Sequence, residues 1–205
     1  MKVAVISDIH DNTHNLVMFF EQVKKYEVEK ILFLGDYAWA AIAGLLCASP
    51  IPVFAIWGNN DGDKSLITKF SLGKDSNLEL GFDIFDVIEL DSQKIFLSHY
   101  PMLAKSMARS WDFDAVFYGH NHEKHKESIE KCLVLNPWEI GAYKTWIASF
   151  AIYDTQINDA EIIEIENAIT TNTQISQEMF QKIKYEFNKQ KGHQFSQIQK
   201  WNAIS

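Results

Sequence analysis

The chain has 205 residues, 47% hydrophobic and 22% charged, the proportions of a soluble globular protein with one well-filled domain. Its net charge of -8 leaves no basic surface able to hold a nucleic-acid backbone tightly through counterion release. Arg109 is the only arginine, which excludes a phosphate grip built from several guanidinium forks.

Residues 3–6 are a continuous apolar run suited to a strand buried on both faces. Asn12 or Thr13 can cap a following helix whose inward stripe is Leu16, Phe19, Phe20 and Val23. A second buried strand over 31–34, a helix over 38–47 and a third strand over 53–56 follow. Residues 37–60 carry no charge and would span a membrane by count alone, but Pro50 and Pro52 interrupt them. They read as a buried helix, a turn and a strand, with no membrane span. Strands alternating with helices predict parallel pairing. Ligands of such sheets gather beyond the carboxyl ends of the strands, where Asp8, Asp36 and Asn59 lie.

The second half changes character. Residues 84–90, 94–97, 115–118, 132–135, 147–153 and 160–165 are strand candidates. Breaks at Asp91-Ser92-Gln93 and near Asn158-Asp159 fit antiparallel neighbours. The expected fold is α/β: two mixed sheets packed face to face, each covered by helices on its outer side. From Ala168 the composition turns to Thr, Asn, Gln and Lys, while Ile175, Met179, Ile183 and Phe187 recur every four residues. Gly192 can end that helix, and Phe195, Ile198 and Trp201 follow it. Residues 1–165 thus read as one domain and 166–205 as a C-terminal helical extension. The apolar face of the extension folds back or meets a partner, most simply in a homo-oligomer. Cys47 and Cys132 lack a metal-type spacing and read as reduced thiols of a cytoplasmic protein. The apolar run before Asp8 is too short for a signal peptide.

Five short blocks carry the chemistry: Asp8-Ile9-His10, Gly35-Asp36, Gly58-Asn59-Asn60-Asp61, Ser98-His99 and Gly119-His120-Asn121-His122. Alone, each has a plain reading as surface polarity, turn chemistry or a helix cap. Together, most of them placed after apolar runs, they supply carboxylate, amide and imidazole donors at strand ends. Asp8 and His10 are two apart, and an extended backbone would point both side chains one way. The glycines before Asp36, Asn59 and His120 permit tight turns. Such donors suit Mn²⁺, Fe, Zn²⁺, Co²⁺ or Ni²⁺ better than Ca²⁺. Seven ligands exceed one tetrahedral site but suit two ions ~3.5–4 Å apart that share a carboxylate.

In these blocks, together with Ser7-Asp8-Ile9-His10-Asp11-Asn12 and Asn136-Pro137, the chain resembles the calcineurin-like metallophosphoesterases. The resemblance is to the small prokaryotic phosphodiesterase branch and runs from Met1 to about Ile165. It implies a four-layer α/β/β/α sandwich. It also implies one metal on Asp8, His10, Asp36 and His122, and another on Asp36, Asn59, His99 and His120, Mn²⁺ being the first choice. The implied reaction is hydrolysis of a small phosphodiester by a metal-bridging hydroxide attacking phosphorus in line with the leaving oxygen. Many relatives have a proton-donating histidine where this chain has Asn60, which can only hydrogen-bond to the phosphate. That loss favours diesters with good leaving groups. Asp61 is expected either to orient a ligand or to cap the next helix.

Three positions depart from the family pattern. No arginine follows Gly35-Asp36, which argues against the Ser/Thr protein phosphatases and dinucleoside tetraphosphatases. Trp57 stands where a basic residue is common, and Trp138-Glu139 where relatives usually have glycine and a small polar residue. Trp39, Trp57 and Trp138 either pack in the core or an interface, or rim the site for an apolar or nucleobase-bearing leaving group. His14, on the first helix near Asp8 and His10, reads as an exposed or hydrogen-bonded helix residue or as a replacement for the missing proton donor, His125 as solvent-exposed, and His193 as incidental. Two other functions compete. One is a protein-interaction scaffold on the same fold, like the metallophosphoesterase-like subunit of the retromer coat, which lacks a complete ligand set. The other is a phosphomonoesterase acting on small molecules or nucleotides.

Overall fold

The structure is a computed structural model, and residues 1–170 are described. β1 (Lys2–Ile6), α1 (Thr13–Val23), β2 (Lys30–Phe33), α2 (Ala40–Cys47), β3 (Val53–Ala55), α3 (Lys64–Ser71) and β4 (Leu78–Leu80) make up the first half. β5 (Phe85–Leu90), β6 (Gln93–Ser98), α4 (Pro101–Ala108), β7 (Ala115–Tyr118), β8 (His125–Ile129), β9 (Cys132–Asn136), β10 (Ser149–Asp154) and β11 (Asp159–Glu164) follow. A six-stranded sheet has the order β11-β10-β1-β2-β3-β4, and a five-stranded sheet the order β5-β6-β7-β9-β8. Both are mixed: β1 to β4 pair in parallel, whereas β10 runs antiparallel to β1 and to β11. In the second sheet β6, β7 and β9 are parallel, with β5 and β8 antiparallel at the edges.

Strand alternation sorts the core into three apolar layers. Val3, Val5, Leu32 and Leu34 face Ile95, Leu97, Phe117 and Leu135 between the sheets. Ala4, Ile6, Ile31 and Phe33 point the other way, against Leu16, Phe19 and Phe20 of α1 and Ile42 and Leu46 of α2. Phe96, Val116 and Val134 meet Ala104 and Ala108 of α4. The result is four layers, helix, sheet, sheet and helix. Full burial of one such Leu, Ile or Phe contributes roughly 1.5–3 kcal/mol. α1 is capped by the Asn12 side chain, which accepts from Asn15 N. The β5–β6 hairpin turns through Asp91 (φ 49°) and Ser92 (φ 68°), the two left-handed residues of a type I′ turn.

Four elements had no bounds assigned from the sequence. β4 has only three residues, and β8 reads His-Lys-Glu-Ser-Ile, an exposed edge with no apolar alternation. α3 buries only Ile67, and α4 only Ala104 and Ala108, too little for a periodic stripe. The expected helix over 38–47 begins at Ala40 instead, because Ala38 (φ 66°) is in the left-handed region. Among the described residues no helix is long and apolar enough to cross a membrane. Ile175, Met179, Ile183, Phe187, His193 and the rest of 171–205 lie outside the described residues. The described chain ends beside α1: the Asn12 and Asn15 amides donate to Ile169 O at 3.1 and 3.0 Å, and Ile169 N donates to Asn15 Oδ1 at 2.9 Å.

Candidate metal centre

Past their carboxyl ends the strands of the first sheet remain laced together. Asp8 N donates to Gly35 O (3.1 Å), while Ile9 N and His10 N both donate to Asp36 O (3.1 and 3.2 Å). Ala38 N donates to Asn60 O (2.9 Å), and Gly62 N to Ala38 O (3.0 Å), which adds the loop after β3. The second sheet joins where His120 N donates to Asp8 Oδ2 at 3.0 Å. Gly35 (φ 96°) backs against this assembly so closely that a Cβ would sit 2.5 Å from Gly58 N.

The side chains converge by a route the residue spacing did not indicate. Asp8 (φ 52°) and His10 (φ 45°) are not extended; both lie in the left-handed region, as do Asp36 (67°), His120 (71°) and His122 (57°). The convergence comes from these kinks and not from strand alternation, a correction to the reading of Asp8-Ile9-His10. Asp and His tolerate this region better than most residues, yet each still costs roughly 1–2 kcal/mol. Strain clustered on functional groups is held in place by the surrounding fold.

Two adjoining groups of donors result. In the first, His10 Nε2 lies 3.2 Å from His122 Nε2, 3.7 Å from Asp8 Oδ1 and 3.4 Å from Asp36 Oδ2. His122 Nε2 is 3.4 Å from Asp8 Oδ1. In the second, His99 Nε2 is 3.4 Å from Asp36 Oδ1 and 2.9 Å from Asn59 Oδ1, and His120 Nδ1 is 2.7 Å from the same Asn59 oxygen. Asp36 faces both groups. His99 Nδ1 is 2.8 Å from the carbonyl of Leu34, which can only accept, so Nδ1 carries the proton and Nε2 offers a lone pair. His122 Nδ1 donates likewise to Glu139 Oε2 at 2.6 Å. Asp8 Oδ1, fully buried, makes no hydrogen bond at all. The Nε2 lone pairs of His99 and His122 therefore face the oxygens of Asp36, Asn59 and Asp8, with both carboxylates buried and Asn59 exposed at the rim. That arrangement is costly by itself and fits divalent cations bound between them.

The electrostatics agree. Burial opposes ionisation of Asp8, but the facing His10, His99 and His122 imidazoles and the Ser7 hydroxyl outweigh it and hold the carboxyl below its ordinary range. Burial likewise works against protonated His10, yet the Asp8, Asp36 and Glu139 carboxylates hold its pKa above the ordinary value. For His120, burial and the neighbouring His99 lower the pKa.

Asn60 donates through N to Asp36 Oδ1 (2.8 Å) and through Nδ2 to Asp36 Oδ2 (3.0 Å). Asp61 accepts from Tyr37 N (2.8 Å) and from Gly58 N, so it orients the backbone beside Asp36 and Asn59. It does not cap the next helix; Asp63 does, accepting from Leu66 N. Trp57 is a core residue against Tyr37 and Trp138 is half-buried, whereas Trp39 is exposed. The aromatic rings that do stand beside candidate ligands are Tyr143, 6.0 Å from His10, and Tyr100, 4.8 Å from His120. Neither was singled out in the sequence, nor was Glu139 given a role; no spacing rule links these residues to the blocks. His14 pairs with Asn167 O at 3.0 Å, and His125 lies on β8 beside Glu127. Both lie outside the two donor groups.

Comparison with known proteins agrees with this geometry. Residues 1–158 match the model of the calcineurin-like phosphoesterase superfamily domain. The chain is 30% identical over 168 residues to the phosphodiesterase MJ0936 of Methanocaldococcus jannaschii, a match covering 81% of this chain and all of that protein. A solved archaeal phosphodiesterase superposes with a TM-score of 0.73 at 29% identity, covering 80% of this chain and 99% of the other. YfcE, a phosphoesterase from E. coli, shares the fold, with a TM-score of 0.59 at 18% identity over 81% of this chain and 100% of that one. With its strand-end donors and layered sheets both accounted for, the chain belongs to the calcineurin-like phosphoesterase superfamily.

Proposed function

We propose that the protein is a phosphodiesterase working with two divalent transition-metal ions, Mn²⁺ being the first choice among Mn²⁺, Fe, Zn²⁺, Co²⁺ and Ni²⁺. One ion is assigned to Asp8, His10, Asp36 and His122, the other to Asp36, Asn59, His99 and His120, with Asp36 shared. The observation that carries this reading is Asp8 Oδ1, buried without a hydrogen bond and facing the lone pair of His122 Nε2. Bound cations there supply Lewis acidity toward a phosphoryl group and activate water.

The chain's own residues set the rest. Leu34 O and Glu139 fix the tautomers of His99 and His122, and Asn60 and the Asp61-bound loop fix Asp36 and Asn59. Asn60 has amide hydrogens for a phosphoryl oxygen but no proton for a leaving group. The proposed substrate is therefore a small diester with a stable leaving group. Within this reading, residues 1–165 form the hydrolase domain and 166–205 a helical extension to it.

The test is chelation followed by reloading with each metal, then turnover of aryl phosphate diesters and monoesters. Activity lost on chelation, restored by metal and higher on diesters is expected. A clear monoester preference would refute the diesterase assignment. Full metal loading with no turnover of either ester would favour the scaffold alternative.

A further inference from the structure

Glu139 is fully buried, and its carboxylate reaches beyond the His122 tautomer. Its Oε2 accepts from His122 Nδ1 (2.6 Å) and Tyr143 N (3.0 Å). Its Oε1 accepts from Lys144 N (3.1 Å), Thr145 N (2.8 Å) and Thr145 Oγ1 (2.7 Å). The segment that bears it is itself pinned to the β1 end, through Ile140 N to Ser7 O (3.0 Å) and Gly141 N to Asp8 O (2.9 Å). One buried anion thus joins a candidate metal ligand to a short loop. On that loop Tyr143 is 69% exposed, although its ring stands 6.0 Å from the His10 ring. An exposed ring whose backbone is tethered beside a ligand is a pre-ordered contact surface.

We propose that Glu139 is a positioning residue with two linked effects: it holds His122 as the Nδ1–H tautomer with its Nε2 lone pair toward Asp8, and it fixes Tyr143 as a wall for a flat ester group of the substrate. The inference rests on the metallophosphoesterase reading above. Glu139→Gln distinguishes it from mere core filling, because the shape is kept but one end becomes a donor. When the glutamine oxygen accepts from the loop amides, its NH₂ faces His122. Nδ1 must then accept, the ring proton moves to Nε2, and the lone pair for the metal is gone.

The test uses the full chain. Imidazole ¹⁵N spectra of metal-free protein should show the Nδ1–H form at His122 in the wild type and the Nε2–H form in Glu139→Gln. Metal titration should show two Mn²⁺ equivalents in the wild type, one of them weakened roughly 10–100-fold in the variant. Tyr143→Ala should keep both equivalents and raise KM for aryl diesters several-fold more than it raises the inhibition constant of dimethyl phosphate, a competitor without a flat group. Val116→Ala, a core change under α4, should keep both the tautomer and the metals. An Nε2–H wild-type His122 would overturn the proposal even if Glu139→Gln failed to fold. So would Glu139→Gln with both equivalents bound as tightly as in the wild type, or equal effects of Tyr143→Ala on the aryl-diester KM and the dimethyl phosphate inhibition constant. A wild type with the Nδ1–H tautomer that binds no metal would instead sink the metallophosphoesterase reading.

Discussion

His99, just past the end of β6, donates through Nδ1 to the carbonyl oxygen of Leu34, just past the end of β2, across 2.8 Å. This bond is one of the links between the two sheets, and it aims the opposite ring nitrogen at Asp36 and Asn59. His99→Ala leaves a buried carbonyl unpaired, so it should lower the stability of metal-free protein by about 1–3 kcal/mol. Urea denaturation checks this; an unchanged midpoint would mean that the bond adds nothing to the fold.

Asp36 faces both donor groups, and its two oxygens are also engaged by Asn60. Asp36→Asn should therefore impair both proposed metals together, whereas His120→Ala should weaken only one. Titration calorimetry with Mn²⁺ separates the outcomes. Loss of a single equivalent in Asp36→Asn would argue against a shared ligand.

Gly35 combines a φ of 96° with a Cβ position 2.5 Å from Gly58 N. Gly35→Ala should cost about 2–4 kcal/mol, from left-handed strain and overpacking together. Because Asp8 N bonds to Gly35 O, metal affinity should fall along with thermal stability. Normal affinity in a destabilised variant would uncouple the two.

Asn60→His places an imidazole beside Asp36 and gives the site a proton donor. Turnover of alkyl esters should rise relative to aryl esters, by roughly 10²-fold if the donor is well placed. An unchanged ratio would show that position 60 does not reach the leaving group.

The metal-free protein should reveal His10 through pH. Its pKa stands above the ordinary value of 6.5 because the Asp8, Asp36 and Glu139 carboxylates outweigh burial. Its stabilising contribution is thus complete below pH 6.5 and disappears as pH rises through the raised value. The stability difference between wild type and His10→Asn should shrink across that window. A difference that instead grew with pH would contradict the assigned charge on His10.

Much of this was legible in the sequence because buried parallel strands read as unbroken apolar runs, as Val3 to Ile6 and Ile31 to Phe33 do. Donors placed directly after such runs had to meet at one end of a sheet. What could not be read was conformation: Asp8 and His10 look like an extended pair, and only the coordinates reveal two left-handed kinks. The part played by Glu139 escaped for a different reason. Its carboxylate serves through His122, 17 positions away, and through backbone amides that leave no mark in residue identity. β8 escaped because an exposed edge strand needs no apolar alternation.

The donors come from both halves of the sandwich: Asp8, His10, Asp36 and Asn59 from the first sheet, His99, His120 and His122 from the second. The centre therefore straddles a seam whose width is fixed by Val5, Leu34, Leu97 and Phe117 deep between the layers. Trimming one of those distant apolar side chains should let the halves slide, and a slip of a fraction of an ångström should loosen the proposed metal centre well before the fold gives way. In this protein the interior hydrocarbon acts as the ruler of its chemistry.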